Sequence, residues 1–298
     1  MSALVAEQRA VLLRDALRLR DALGLSDRDA RSEVELLLMR ALDITRARLI
    51  AHPELAAAAE HDSTYLQSLE RRLAGEPIAY ILGEREFYGH VFSVSPDVLI
   101  PRPETELLVD LALARLDPQH TYRVLDLGTG SGAVAIAIAL HRPHVSVVAI
   151  DSSPASLAVA SVNARRLLGE AEPGRLQLIR SDWFGQVGAT DFDLIVSNPP
   201  YVADGDPHLA IGDIRFEPGR ALVSGRKGLD ALSAIIGEAP GYLRGGGWLL
   251  CEHGYDQAEA VGQLLDRAGF SQRLAECDLA GVTRVSGGCW LTGTPGGG

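Results

Sequence analysis

Residues Val124-Leu125-Asp126-Leu127-Gly128-Thr129-Gly130-Ser131-Gly132 decide the fold. A short apolar, strand-like run passes directly into three glycines at alternate positions, and an apolar stretch of helix length follows from 133 to 140. A strand that ends in a glycine turn and restarts as a helix lets a ligand approach the backbone closely. Gly128, Gly130 and Ala133 also satisfy the G-x-G-x-x-G/A spacing of nucleotide-binding βα turns. Such spacing also occurs in tight turns that hold no ligand. Downstream the same alternation continues. Strands are predicted at 145–150, 176–179, 194–196 and 248–251, and helices at 132–141, 154–168, 229–238 and 256–268. Alternating strands and helices require crossover connections and therefore a parallel sheet. Segments 272–277 and 282–291 have no helix between them and are expected to pair antiparallel at one edge. The 296–298 tail is expected to be disordered.

Upstream, the period changes twice. Phe87, Val91, Val94, Val98 and Ile100, around a Ser95-Pro96-Asp97 turn, predict a β-hairpin. Pro101-Arg102-Pro103 forces extended backbone and suits the start of a helix over 104–116. Residues 1–83 read as helices. One carries Val5, Val11, Leu12, Leu13, Leu17, Leu19 and Leu23 on an apolar face. A second spans 29–42 behind a Ser26-Asp27 start signal, and a third spans 63–74, capped by Asp62 or Ser63 and stopped by Gly75. The expected organisation is a helical domain over 1–83, a hairpin linker over 84–103 and an α/β domain over 104–298.

The 298 residues suit two domains. A net charge of −11 lowers the odds of nucleic-acid binding, which draws most of its non-specific affinity from phosphate neutralisation. The helical region, with eleven arginines against thirteen acidic residues, has no basic stripe and reads as a protein-contacting module. The three cysteines (Cys251, Cys277, Cys289) are widely spaced, which points to reduced thiols in a cytoplasmic protein. No apolar run reaches membrane-spanning length, and the N-terminus has no uninterrupted secretory pattern. The histidines show no metal-ligand spacing, and His90 and His253 read as structural.

Three features carry chemistry. Asp126 stands just before the glycines, where a carboxylate can meet an ammonium group but sits poorly beside a pyrophosphate. That favours S-adenosylmethionine over a nicotinamide dinucleotide. Asp151, at the end of the next strand, can accept hydrogen bonds from both ribose hydroxyls or can cap the helix at Pro154, a cap that Ser152 or Ser153 could equally supply. Asn198-Pro199-Pro200-Tyr201 follows the strand around 194–196, at the strand end where open α/β sheets bind ligands. A planar NH₂ substrate needs acceptors. The Asn198 side-chain oxygen is one, and the carbonyl between Pro199 and Pro200 is another, with no competing N–H. Tyr201 offers an aromatic face.

Asn-Pro-Pro-Tyr is similar to the signature of class I methyltransferases that modify planar amino or amide nitrogens. The stretch from Val98 to Glu106, Val-Leu-Ile-Pro-Arg-Pro-Glu-Thr-Glu, resembles a hallmark of the peptide chain release factor glutamine methyltransferases, the HemK/PrmC family. Pro77-Ile78-Ala79-Tyr80-Ile81-Leu82-Gly83, Phe87-Tyr88-Gly89, Glu217-Pro218 with Ala221-Leu222, and Asp278-Leu279-Ala280-Gly281 extend the resemblance from 75 to 284. Ser224-Gly225-Arg226-Lys227-Gly228 departs from it, since the family usually has an acidic residue before the glycine.

The resemblance implies a Rossmann-like, seven-stranded sheet with one antiparallel strand behind a small helical substrate-docking domain. It implies a cytoplasmic enzyme that methylates a glutamine side-chain nitrogen in class I release factors and leaves S-adenosylhomocysteine. Cofactor contacts are implied for Gly128, Thr129, Gly130, Ser131, Gly132, Asp151 and Asn198. Trp183 would pack near the adenine, or else serve as an ordinary packing aromatic. Substrate contacts are implied for Asn198, Pro199, Pro200 and Tyr201. The rival readings are a ribosomal-protein glutamine methyltransferase, a DNA adenine methyltransferase, which would need a basic groove and base flipping, and a non-catalytic binding module.

Overall fold

The computed structural model describes residues 2–52, 54–169, 174–188 and 191–291; the 296–298 tail lies outside them, as does the side chain of Val5. The chain divides into two compact units, Met1–Gly83 with Pro207–Phe216, and Glu84–Asp206 with Glu217–Gly298.

The first unit is helical: α1 (Ser2–Leu23), α2 (Asp27–Leu42), α3 (Arg46–Ala51), α4 (Glu54–Ala58), α5 (Ser63–Leu73) and α6 (Ile78–Leu82). Its boundaries follow from local chemistry. The Ser26 hydroxyl accepts the Asp29 N–H at 3.1 Å and starts α2, and the Asp62 carboxylate accepts the Thr64 and Tyr65 N–H groups and starts α5. Leu19, Val34, Leu37, Leu38, Tyr65 and Leu69 form its core. Asp15 is fully buried there. Burial alone would raise its carboxyl, but Arg14, the Tyr65 hydroxyl at 2.9 Å and Arg18 hold it below the usual carboxylate value. Segment 207–216 belongs to this unit. Buried Arg72 donates to Asp213 at 2.9 Å and to Glu33 at 2.7 Å, and Arg215 donates to the Ala74 carbonyl at 3.0 Å. No element is expected over 207–216 from sequence, and nothing local in that stretch signals its return to the helices.

The second unit opens with β1 (Glu84–Phe87) and β2 (His90–Ser93), an antiparallel hairpin. Its turn is Tyr88-Gly89, not the Ser95–Asp97 turn expected from sequence. Both turn residues have positive φ (+52° and +74°), the conformation whose twist matches that of the strands. A tyrosine is an unusual occupant of that position, so the sequence hides it. Contacts offset the strain: the Tyr88 N–H donates to Glu106 at 2.8 Å and its hydroxyl to Asp110 at 2.6 Å. Ser95–Asp97 forms a separate turn. The helix expected over 104–116 begins as a 3₁₀ turn, Pro103–Thr105, before α7 (Glu106–Leu113).

Then follow β3 (Tyr122–Leu127), α8 (Ala133–His141), β4 (Val145–Asp151), α9 (Pro154–Leu168), β5 (Leu176–Arg180), β6 (Phe192–Ser197), α10 (Asp230–Glu238), β7 (Leu243–Glu252), α11 (Ala258–Arg267), β8 (Ser271–Cys277) and β9 (Thr283–Trp290). The sheet order is β5-β4-β3-β6-β7-β9-β8, parallel except for β9, which runs against both neighbours. This is the mostly parallel sheet with one reversed strand that the resemblance implies.

Strand alternation builds two cores. Val124, Val147, Leu194 and Leu250 point to the face of α7, α8 and α9, while Leu125, Ile150, Ile195 and Leu249 point to the face of α10 and α11. Helix α8, buried along residues 133–139, has no polar face to present to water, as its all-apolar sequence requires. The chain leaves β3 toward β4 on one side and later returns to pair β6 on the other. The C-terminal ends of β3 and β6 therefore flank a topological switch point, where open α/β sheets form ligand crevices.

Candidate active site

A cavity lies at that switch point. It is lined by the 128–131 turn, Asp151, Trp183, the 97–102 segment, Thr105 and Asn198. The glycine turn is shaped from within. The Gly128 and Thr129 N–H groups donate to the Ile150 carbonyl at 3.0 and 2.8 Å, and Gly132 N–H donates to Thr129. Gly128, Gly130 and Gly132 all have positive φ, and a Cβ on Gly132 would stand 2.9 Å from the Ile136 side chain. Behind the turn, the buried Asn163 amide donates to the carbonyls of Ser131 and Ser93, each at 2.9 Å, and accepts the Ser93 N–H at 2.7 Å. An asparagine inside an amphipathic helix signals little in sequence, so this brace between the turn and the hairpin escaped the reading.

Asp126 is buried at the floor. Its carboxylate accepts the Thr129 hydroxyl at 2.6 Å. Burial pushes this carboxyl up to about 7, against the pull of the Thr129 hydroxyl and the Ala135 N–H and with the help of the Asp151 charge. Asp151 accepts the Gly130 N–H at 3.0 Å and the Ser153 N–H at 2.8 Å. The cap of α9 is Ser153, whose hydroxyl accepts the Ser156 N–H, so capping does not occupy Asp151. Trp183 takes a positive φ of +42° and sets its ring edge 3.6 Å from the position of a Cβ on Gly128. Such backbone strain in a cavity wall is a mark of functional placement.

Opposite stands the Asn198–Tyr201 loop. Ser197 ends β6 by donating to the Leu127 carbonyl at 2.7 Å, which ties the two strand ends together. Asn198 Nδ2 donates to Thr105 Oγ1 at 3.1 Å, and Asn198 Oδ1 is buried with no hydrogen-bond partner among the described residues. Pro200 also lines the cavity, whereas Pro199 and Tyr201 do not. The Tyr201 ring packs on the core beneath, its hydroxyl donates to Glu252 at 3.3 Å, and its carbonyl accepts from Gln257 at 3.0 Å. The structure thus joins Asn198 and Pro200 to the glycine turn, Asp151 and Trp183, and sets Tyr201 behind them. Burial pushes the Tyr201 phenol up, assisted by the Glu252 charge.

Three further residues received no site role in the sequence reading, although Glu217 and Thr105 lie in stretches that carry the resemblance. Glu217, fully buried, accepts the Ile100 N–H at 3.1 Å and pairs with Arg102, which anchors the segment before Thr105. Thr105 and Glu252 flank Asn198 and Tyr201 from distant parts of the chain. A glutamate at the end of an apolar strand is the one signal that pointed to Glu252. At the loop that departs from the family pattern, Ser224 Oγ accepts the Ala231 N–H at 2.8 Å. A Cβ on Gly228 would lie 2.1 Å from the Tyr201 carbonyl.

Comparison with known proteins agrees with this geometry. The model of the methyltransferase small domain matches residues 104–225, and that of the PrmC N-terminal domain matches residues 13–83. A release factor glutamine methyltransferase of Bordetella pertussis is 50% identical, covering 87% of this chain and 94% of that protein. One from Pseudomonas aeruginosa is 46% identical over 88% and 93%. Among solved structures, a Thermus thermophilus 16S rRNA N2 G1207 methyltransferase in complex with AdoMet and guanosine shares the fold. It has a TM-score of 0.50 at 22% identity and covers 69% of this chain and 49% of that one. With half the aligned residues identical to such a relative over 87% of this chain and 94% of that one, the chain belongs to the family of release factor glutamine methyltransferases.

Proposed function

We propose that the chain transfers a methyl group from S-adenosylmethionine to the side-chain amide nitrogen of a glutamine in class I peptide chain release factors, in the cytoplasm, releasing S-adenosylhomocysteine. The observation that carries this reading is Asn198, which lines the same cavity as the glycine turn and Asp151 and whose Oδ1 is buried with no hydrogen-bond partner among the described residues. An unpaired buried acceptor is costly unless a donor arrives, and a primary amide brings two. The cofactor fits the opposite wall. Asp151 lines the cavity and, with one lone pair of each oxygen left after the Gly130 and Ser153 N–H groups, would accept from ribose hydroxyls, the close-approach backbone at 128–130 leaves room for the ligand, and Trp183 offers a flat apolar face. Asp126, with a carboxyl poised near neutrality, supplies negative charge next to a cationic ligand.

Bound S-adenosylmethionine supplies an activated methyl group on a sulfonium. The residues of the chain hold and orient. An amide nitrogen is a weak nucleophile because its lone pair is delocalised, so alignment of nitrogen with methyl carbon is the main task, worth up to ~7–11 kcal/mol in ideal cases. Asn198 Oδ1 holds an NH₂ hydrogen and favours the positive charge that develops on nitrogen. The proton leaves after transfer, when the nitrogen is far more acidic, so no dedicated base is required. The helical unit is assigned to docking of the protein substrate, since its buried polar groups are spent on its own packing and its near-neutral charge suits a protein partner.

The test is transfer of labelled methyl from S-adenosylmethionine to purified release factor, ribosomal protein and duplex DNA in parallel. Label on a release-factor glutamine, abolished when that glutamine is replaced, is the expected result. Preferential labelling of ribosomal protein or DNA overturns the reading.

A further inference from the structure

Pro199 and Pro200 leave the Asn198–Tyr201 turn short of backbone donors. Neither has an N–H, so the two middle residues of the turn cannot donate a hydrogen bond that fixes it. The turn is held at its ends instead. Upstream, the Ser197 hydroxyl donates to the Leu127 carbonyl at 2.7 Å. Downstream, the Val202 N–H donates to the Leu222 carbonyl at 2.8 Å, and the Ser224 N–H donates to the Val202 carbonyl at 2.9 Å. Between these anchors the Tyr201 carbonyl accepts from Gln257 Nε2 at 3.0 Å.

Gln257 occupies the N-cap position of α11, where a short polar side chain would fold back onto the helix; it makes no such cap. The residue is 9% exposed, and its amide reaches away from the helix. Nε2 donates to the carbonyls of Tyr201, Gly228 and Lys227 at 3.0, 3.2 and 3.3 Å, and Oε1 accepts the Gly254 N–H at 2.9 Å. Three acceptors on one side and a donor on the other fix which way the amide faces, since a flipped amide would set its oxygen against three carbonyls. Gly228 completes the fit. Its φ is +68°, and a Cβ there would stand 2.1 Å from the Tyr201 carbonyl oxygen and 2.8 Å from Gln257 Nε2. The stretch that departs from the family pattern, 224–228, thus lays its backbone against the turn, and one side chain ties both to the start of α11.

We propose that Gln257 is a positioning residue for the methyl transfer: by holding the Tyr201 carbonyl against the 227–228 backbone, it fixes the downstream end of a turn whose middle residues have no N–H, and so fixes where Asn198 stands in the cavity. This rests on the reading of Asn198 as the acceptor for the substrate NH₂. Gln257 does not line the cavity, so it acts through the turn. Its side-chain hydrogen bonds go to none of the groups on the glycine-turn wall.

Single-turnover methylation of release factor, S-adenosylmethionine affinity and thermal unfolding are measured for each variant. Gln257→Met keeps the length and removes both hydrogen-bonding ends. It is expected to slow transfer about 10- to 100-fold, as a small misplacement at a reacting centre does, with less than about a threefold change in cofactor affinity. Val261→Ala, in the core on the same helix, controls for lost stability and is expected to transfer at near the wild-type rate. Equal slowing in the two variants overturns the proposal, as does a wild-type rate in Gln257→Met. Gln257→Glu gives the sharper readout. Its carboxylate sets a charged oxygen against three carbonyls, whereas the protonated carboxyl carries an O–H that donates to them. Its rate relative to wild type is expected to rise several-fold as pH falls from about 8 to about 6, and a ratio that does not change with pH overturns the proposal. This variant also decides the matter if Gln257→Met does not fold. Asn198→Ala separates the two readings. In that background Gln257→Met is expected to add less than about a threefold further loss, because the turn has no acceptor left to place, and an equal loss in both backgrounds overturns the proposal. A wild-type rate in Asn198→Ala alone removes the acceptor reading and the proposal with it, whereas its collapse beside an unimpaired Gln257→Met removes only the role of Gln257.

Discussion

The two walls of the cavity are built on opposite principles. On the wall formed by the ends of β3 and β4, the polar groups already have partners: Asp126 holds Thr129, Asp151 holds Gly130 and Ser153, and the glycine turn hangs from the Ile150 carbonyl. On the wall formed by the end of β6, Asn198 Oδ1 is buried with no hydrogen-bond partner among the described residues, and behind it, outside the cavity lining, Glu252 Oε2 is buried in the same condition. A satisfied wall is rigid and recognises by shape and backbone approach. An unsatisfied one retains unspent hydrogen-bonding capacity for an incoming donor. The comparison teaches that the wall proposed for the cofactor is pre-organised by the fold itself, while the wall proposed for the substrate keeps an acceptor free.

The largest expected effect breaks the comparison at its open side. Asn198→Ala is expected to lower turnover by roughly two to four orders of magnitude, the scale of losing one oriented hydrogen-bonding group at a reacting centre, with a smaller change in S-adenosylmethionine affinity. Single-turnover rates with calorimetry check it, and a rate within a few-fold of wild type would make Asn198 a turn residue.

On the satisfied wall, Asp151→Ala is expected to weaken S-adenosylmethionine by ~1–3 kcal/mol, because the ribose hydroxyls lose their acceptors and Gly130 loses its brace. Unchanged affinity by calorimetry would show that the carboxylate serves only the turn. Gly128→Ala is expected to cost ~1–2 kcal/mol of folding stability, because φ is +76° there and an L side chain pays for the left-handed region; thermal unfolding reads it. The Trp183 ring at 3.6 Å leaves room for a methyl, so the loss is one of backbone strain and not of collision.

The smallest effect is a pH dependence. The Asp126 carboxyl is raised to about 7, so in the free protein it gains and loses its proton near neutrality. A cation bound beside it favours the carboxylate. S-adenosylmethionine affinity is therefore expected to rise as pH increases through about 7 and to level off above it, with release of up to about one proton on binding. For folding the sign is opposite. A carboxyl raised in the folded state contributes stability below its unfolded value that declines as pH rises toward about 7. Asp126→Asn should flatten both profiles, and calorimetry in buffers of different ionisation enthalpy counts the proton; a flat wild-type profile would place the cation elsewhere.

Much of this site could be read directly. The strand-glycine-helix pattern at 124–140 and the apolar strand before Asn198 are local signals. Backbone conformation near a glycine and the alternation of a buried strand depend on neighbours a few residues away. Ser26 and Asp62 as helix starts are local in the same sense. Tyr88 was misread because its positive φ is sustained by Glu106 and Asp110, which the hairpin's own sequence does not contain. The choice between ribose contact and helix cap at Asp151 was also undecidable locally, because Ser153, two residues on, offers the same cap.

The amino-acid sequence by itself determined the alternating α/β class and the glycine turn, since each rests on short-range periodicity and residue chemistry. Only the tertiary structure decided what holds Asn198. Thr105 and Asn198 are separated by 93 residues in the chain, and they meet because the turn before α7 lies against the end of β6. The same is true of Glu217 on Arg102 and of Asn163 on Ser93 and Ser131. Hydrogen bonds between side chains act over about 3 Å in space whatever the distance in sequence, so their partners are written into the topology and not into any window of residues.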